Sequence, residues 1–318
     1  MDRKKGIGGT DISAIVGMNP WKTPLDVWLD KTGQAEDTPD NENLWWGREM
    51  EPVLAKRYEK ETGVKVYIPP VDVLPYRLTM PPWYLGSPDG LINCNEIEMV
   101  TPVAEGGVDF KTSGRPQEWG EPGTDDIPQQ YIIQAEWYMG LTGAQWWDVA
   151  VLLMGFTRKF AIYRVHRDDE LIGDLTEAGE KFWKDHVLTG VAPALDGSKS
   201  ATEYLKRKYP SNLGPMLEPT DAEILATIQS YQYARNNLKH LEREVDGYEN
   251  ILKALVGDFS GLQGPWGSIT WKKSKDSEIV DWKSLATSYS DYQTKINKYT
   301  TIRPGSRRWL PKFKKEDV

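Results

Sequence analysis

Asp109 and Lys111 stand two residues apart in a short apolar run, Gly107 to Thr112, with Phe110 between them. In an extended strand side chains alternate, so Asp109 and Lys111 share one face and Phe110 takes the other. Twenty residues earlier, Asp89 lies in a Ser87-Pro88-Asp89-Gly90 turn that leads into a second apolar run. Two carboxylates with an ammonium beside them are what a Mg²⁺ site for phosphodiester hydrolysis needs. They offer hard oxygen ligands and a fixed positive charge. The backbone carbonyl of Phe110 lies between Asp109 and Lys111 and can add another oxygen. Lys111 can hold the attacking water or stabilise charge developing on the phosphoryl group. An acid and a lysine at this spacing are also a common surface ion pair, so the pair takes its meaning from its surroundings.

Two helices are expected beside it. One runs from Asn43 to Thr62 and stops at Gly63, with Trp46, Met50, Val53, Leu54 and Tyr58 as its apolar stripe. Its polar face carries Glu49, Glu51 and Glu59, from which an acid can reach the metal from the side. The other, Gln129 to Met139, places Gln130, Gln134 and Tyr138 at i, i+4 and i+8 on one face. Amides and a phenol at that spacing suit phosphate oxygens or a water. Near the start of the chain, Gly6 to Gly17 predicts a glycine-rich turn into a short helix, with Thr10 as its N-cap. Free N–H groups at such a turn can accept a phosphate, although the spacing is not that of a nucleotide-binding P-loop. Trp119 follows Lys111 in a polar, glycine-containing loop and is the candidate to stack on a base or wedge a duplex end. The three histidines, His166, His186 and His240, are scattered without ligand spacing.

The remaining pattern gives the frame that must position these groups. Strand periodicity is expected at 64–68, 85–93, 108–112, 144–154 and 159–166, with helices at 129–139 and 168–186. That order predicts an α/β core with a central mixed sheet flanked by helices, plus a C-terminal helical extension. The expected division is a core over 1–192, a linker over 193–220, and a third part over 221–318. The third part holds a long amphipathic helix, 221–255, then a hairpin, a short helix near Trp282 to Leu285, and a basic tail from Lys298 to Lys315. The long helix is the candidate to pair with another helix, in cis or in a partner.

Composition narrows the class. The chain has 318 residues, of which 39% are hydrophobic, enough for a large core. The single cysteine, Cys94, excludes an internal disulfide framework and a cysteine-rich zinc site, and fits a reducing cytoplasm. No signal-peptide pattern or 18-residue apolar span is found, so a cytoplasmic location is expected. The net charge of −8 disfavours a nonspecific nucleic-acid coat and asks any DNA contact to rest on local positive charge.

With these residues in place, the chain resembles the YqaJ-type viral recombinases, relatives of phage lambda exonuclease in the PD-(D/E)xK nuclease superfamily. The resemblance lies in Arg3, the Gly6–Gly17 segment, Pro20-Trp21, Thr23-Pro24, Leu25 and Trp28. It continues through Gly47, Glu51-Pro52, Thr62-Gly63, Ser87-Pro88-Asp89-Gly90, Asp109-Phe110-Lys111-Thr112, and Gln130 with Gln134. It covers about residues 1–190. It implies a restriction-endonuclease-like core and a Mg²⁺-dependent exonuclease, with Mn²⁺ as a substitute ion. Such an enzyme digests one strand of a duplex from its 5′ end and leaves a 3′ overhang for a single-strand annealing protein. Rings of three copies occur among lambda-type relatives. By position, Glu51 matches the helix carboxylate, Asp89 the metal-bridging aspartate, Asp109 the acid of the ExK pair, Lys111 the catalytic lysine and Gln134 the helix glutamine. Arg3 and Thr10 match the residues that hold a terminal phosphate. Two positions depart from the pattern: Asp109 stands where glutamate is usual, and Glu136 where many relatives have glutamine. Two rival readings remain open on the sequence. One is a structure-specific endonuclease on the same core; the other is a noncatalytic DNA-binding or recombination assembly protein.

Overall fold

The computed structural model describes residues 3–35, 41–69, 80–93, 104–275 and 281–288, together with residues 294 and 296. The expected basic tail from Lys298 to Lys315 lies outside the described residues. The chain divides into two compact units, Met1–Leu205 and Lys206–Val318.

The first unit is a mixed α/β fold. Its helices are α1 (Gly9–Ile15), α2 (Pro24–Lys31), α3 (Glu42–Thr62), α4 (Gln129–Thr142), α5 (Asp169–Phe182) and α6 (Lys199–Lys208). Its strands are β1 (Val66–Tyr67), β2 (Gly90–Ile92), β3 (Gly106–Ser113), β4 (Trp146–Met154) and β5 (Arg158–His166). They form one sheet in the order β1-β2-β3-β4-β5. The β3–β4 pair is parallel and the other three are antiparallel. A parallel pair needs a crossover, and α4 supplies it. Gly106 and Gly107 are fixed by that pairing: a Cβ on either would lie within 2.6 Å of the Trp146 or Trp147 ring on β4. Only glycine lets those indoles lie across the neighbouring strand.

Alternation along the strands divides the core. Trp147, Val149, Val151, Tyr163 and Val165 pack against α1, α2, α4 and α5. Val108, Phe110 and Ala150 pack against Leu54, Ala55 and Tyr58 of α3. The expected α3 stripe is therefore shifted. Leu54 and Tyr58 are buried, while Trp46 and Val53 are each 53% exposed. Pro52 lies inside α3 and is exposed.

A buried polar link sets α3 against the sheet. Tyr58 donates its hydroxyl to Asp148 Oδ2 at 2.6 Å, and Arg164 donates to both oxygens of Asp148 at 2.8 and 2.9 Å. Arg164 also stacks over Trp146 at 3.9 Å. Burial, then the hydrogen bond to Asp148, holds the Tyr58 hydroxyl well above its ordinary pKa, so it stays a donor. Removing the acceptor strands a buried phenol, while the partly exposed Arg164 recovers solvent. Asp148→Ala is expected to cost about 2–3 kcal/mol. In urea unfolding the midpoint should fall with an unchanged slope.

The segment expected as a linker is not all irregular. It contains α6, and Ala201 and Tyr204 are buried, with Tyr204 edge-on to Trp28 at 5.8 Å. Its signal is only three apolar residues in a polar decapeptide, and tertiary packing decides the outcome.

The second unit contains α7 (Ala222–Val256), capped by Asp221, which accepts from the N–H groups of Glu223 and Ile224. A hairpin of β6 (Gly261–Gly264) and β7 (Gly267–Thr270) follows, then α8 (Trp282–Thr287). No helix among the described residues is long and apolar enough to cross a membrane.

Candidate active site

The site lies where β3 runs past the end of β2. Strand pairing between them stops at Gly90 opposite Val108, so β3 from Asp109 onward has no β2 neighbour. The Asp89 carboxylate occupies that edge and its Oδ2 accepts from the Phe110 N–H at 2.8 Å. In an extended strand the C=O of a residue faces the same edge as its N–H. The Phe110 carbonyl therefore faces the Asp89 side, while the Phe110 ring packs edge-on to Tyr58 at 6.2 Å beneath α3.

Asp109 is 2% exposed. Its Oδ2 lies 3.4 Å from Lys111 Nζ, and its Oδ1 is buried without a hydrogen-bond partner. A buried, unpartnered carboxylate oxygen is costly unless it binds a proton or a cation. Burial pushes the Asp109 carboxyl up to about 7, against the opposing pull of Lys111. The Lys111 ammonium is held above its ordinary value by Asp109 and Asp89, which outweigh its burial, so it stays charged at neutral pH. Its Nζ lies 5.7 Å from the centre of the Tyr131 ring.

Glu51 reaches the same field from α3. Burial raises its carboxyl first and Asp89 raises it further, while Lys111 and Arg48 pull it down. Glu59 is taken up elsewhere, accepting from the Val66 N–H at 3.0 Å and pairing with Lys65. Glu49 is exposed. Among the described residues no three carboxylate, imidazole or thiolate groups already close on one point. An open arrangement of hard oxygens suits Mg²⁺, which keeps several waters and completes its octahedron with substrate phosphate. The donor set, with the orphaned Asp109 oxygen at its base, fits such an ion.

Helix α4 brings the amide and phenol. Trp137 stacks on Tyr84 at 3.6 Å and donates to the Leu85 carbonyl at 2.8 Å, tying α4 to the segment that leads into Asp89. That orientation buries Tyr138, whose hydroxyl accepts from Gln134 Nε2 at 3.1 Å. Burial, then the Asp109 charge, raises the Tyr138 pKa. Glu136 turns to the opposite side and accepts from the Asp168 N–H at 3.1 Å, and burial raises its carboxyl to about 7. Its departure from the family pattern thus falls at the start of α5, away from Asp109.

The N-terminal helix closes over these groups. Gly9 sits so near α4 that a Cβ there would lie 2.9 Å from Gln134 and 3.1 Å from the Tyr138 ring. Gly9→Val is expected to displace both side chains and lower turnover at this site at least about ten-fold. Mg²⁺-induced thermal stabilisation should survive, because the carboxylates are untouched.

Two expectations change here. Thr10 is not the N-cap. Gly8 holds that position, and its N–H is taken by Asp11 Oδ2 at 3.0 Å. Asp11 in turn pairs with Lys22 and Lys31, each at 2.7 Å, and these ion pairs were not read from the sequence. Thr10 remains exposed one residue into the helix, and the side chain of Arg3 lies outside the described residues. Trp119 is the second. It is 7% exposed, stacked on Tyr131 at 5.5 Å and tilted against Tyr163 at 5.2 Å, with its indole N–H on Ser113 Oγ. Its faces are occupied, so it is packing rather than a free stacking platform. A cleft of about 220 Å³ opens nearby, lined by Thr112, Arg115, Trp119, Gln130 and Tyr131, with Trp21 on its wall. Trp21 is 64% exposed and is the accessible indole there. Its place after Pro20 in a polar turn was the available signal.

The family pattern of the YqaJ-like viral recombinase domain matches residues 1–145. Protein YqaJ of Bacillus subtilis (strain 168) is 33% identical over 314 residues, spanning 95% of this chain and 91% of that protein. Among solved structures, the fold resembles LHK-Exo, an alkaline exonuclease from Laribacter hongkongensis, here in its complex with dAMP. Identity is 21%, with a TM-score of 0.46 over 65% of this chain and 94% of that one. A phage-related exonuclease from Haemophilus somnus 129PT is also similar, at 15% identity and a TM-score of 0.40, over 58% of this chain and 96% of that one. Identity and coverage against the Bacillus protein place this chain in the YqaJ family of viral recombinases.

Proposed function

We propose that this protein is a Mg²⁺-dependent deoxyribonuclease that digests duplex DNA from its 5′ ends and leaves 3′ single-stranded overhangs. The observation that carries the reading is the buried, unpartnered Asp109 oxygen beside Lys111 and Asp89. Glu51, Asp89, Asp109 and the Phe110 carbonyl would hold the ion, with Mn²⁺ able to substitute. When bound, Mg²⁺ lowers the pKa of water and neutralises the nonbridging phosphate oxygens.

The chain's own groups do the rest. Lys111 keeps its ammonium beside Asp109 and Asp89 in the metal-free protein. It holds the attacking water by hydrogen bonding and offsets the negative charge that grows on phosphorus oxygens. The water oxygen bonds to phosphorus as the bond to the 3′ oxygen breaks; the water gives a proton to solvent and the leaving oxygen takes one from solvent, so the products are a 5′-phosphate and a 3′-hydroxyl. Gln134 presents its amide to the water or a phosphate oxygen, and Tyr138 fixes that amide. Gln130 and the cleft near Trp21 receive the strand beside the scissile bond. Arg3 and Thr10 are assigned to the terminal phosphate, and the overhang is the substrate of a single-strand annealing protein. A ring of three copies around the duplex suits repeated cleavage without release.

Incubation with linear and with covalently closed duplex DNA, in Mg²⁺ and in EDTA, tests this. Mg²⁺-dependent loss of the linear form alone is expected. Degradation of the closed circle would favour an endonuclease on the same core.

A further inference from the structure

Helix α7 carries an apolar repeat of seven along its whole length. Ile224, Tyr231, Leu238, Val245 and Leu252 recur at that interval. Thr227, Ala234, Leu241, Tyr248 and Leu255 follow each of them by three residues. A repeat of 3.5 residues sustained over five heptads is the signature of a coiled-coil seam rather than of a helix lying on a globular core, where the period is 3.6. The seam is open: Ile224, Leu238, Leu241, Val245, Tyr248 and Leu255 are each 49–67% exposed. Its span is about 50 Å at 1.5 Å per residue, so a covering helix must be equally long. Among the described residues the next longest helix, α3, has 21 residues and its buried side is already packed on the sheet. Residues 289–318 contain Pro304 and Pro311 and no matching heptad.

The sequence is complementary to its own reversal. Laid antiparallel, the two seam positions meet in matched layers: Ile224 against Leu255 of a second copy, Tyr231 against Tyr248, and Leu238 against Leu241. Val245 then faces Ala234, and Leu252 faces Thr227, each a large residue against a small one. The flanking charges choose the same direction. In the antiparallel arrangement Arg235 lies beside Glu242 of the other copy, twice by symmetry. In the parallel in-register arrangement Glu244 would lie beside Glu249, also twice, and like charges in that position repel. We propose that α7 pairs antiparallel with α7 of a second copy of this chain through a two-fold interface.

Light scattering on the full chain after size exclusion tests it. A particle with an even number of copies is expected: two, or six if the cores also close rings of three. L238E/L241E should halve the particle mass. R235E should raise the dimer dissociation constant at least ten-fold, and R235E/E242R should restore it. Direction is read by mixing two variants in a C94S background, I224C and L255C. Disulfides are expected between the two variants and not within either one. A wild-type particle of one or three copies would overturn the proposal, as would an unchanged mass for L238E/L241E or disulfides confined to like variants. Recovery of the wild type as a monomer would leave the seam to another protein.

Discussion

Asp109→Asn is expected to abolish both Mg²⁺-dependent cleavage and Mg²⁺-induced thermal stabilisation. The amide keeps the volume but removes the charge from a buried oxygen that lacks a partner. Turnover should fall by at least about 10³-fold, the scale seen when a central electrostatic contact is lost from a reacting centre. The wild type should show a matching pH dependence. The Asp109 carboxyl is raised by burial from 3.8 to about 7. Between those values the folded state binds the proton and the unfolded chain does not, so this group's contribution to the metal-free fold declines as pH rises from about 4 to about 7. A metal needs the deprotonated carboxylate, so metal stabilisation must grow over the upper part of that window. The rise in melting temperature on adding Mg²⁺ should therefore be larger at pH 8 than at pH 6. In Asp109→Asn it should be absent at both.

Lys111→Ala is the second large effect, and it separates chemistry from metal binding. The ammonium is held charged by Asp109 and Asp89 and is 18% exposed at the site's edge. Its removal takes away the fixed positive charge that would meet the transition state. Turnover on linear duplex should drop about 10³–10⁴-fold. Mg²⁺ stabilisation should persist or increase, because the carboxylates lose a competing cation. Lys111→Arg should not restore full rate, since a planar guanidinium cannot take the place of a compact ammonium. A merely structural lysine would give the opposite pattern, with lost stability and near-normal turnover.

The centre of this site was legible because strands alternate. Asp109 and Lys111 on one face and Phe110 on the other follow from period two alone, and the structure places Phe110 under α3. The helix carrying Gln134 and Tyr138 was legible from its 3.6-residue spacing, and the two side chains do meet. What failed was whatever depends on partners distant in sequence. Trp119 reads as a loop residue, but Tyr131 and Tyr163 cover its ring. Thr10 is a good capping type, yet Asp11 has two lysines to pair with and Gly8 takes the cap. The Tyr58–Asp148–Arg164 link that sets α3, and hence Glu51, joins residues 90 and 16 positions apart. No local pattern announces it.

We infer that a metal site built on Asp89 and Asp109, with Lys111 beside it, hydrolyses DNA from duplex ends. The most direct measurement is a time course on 5′-phosphorylated linear duplex with Mg²⁺, run side by side for the wild type and Lys111→Ala. Release of 5′-mononucleotides by the wild type, with almost none from Lys111→Ala at equal folded concentration, is the predicted result. Equal rates for the two proteins, or no release by the wild type, would contradict it.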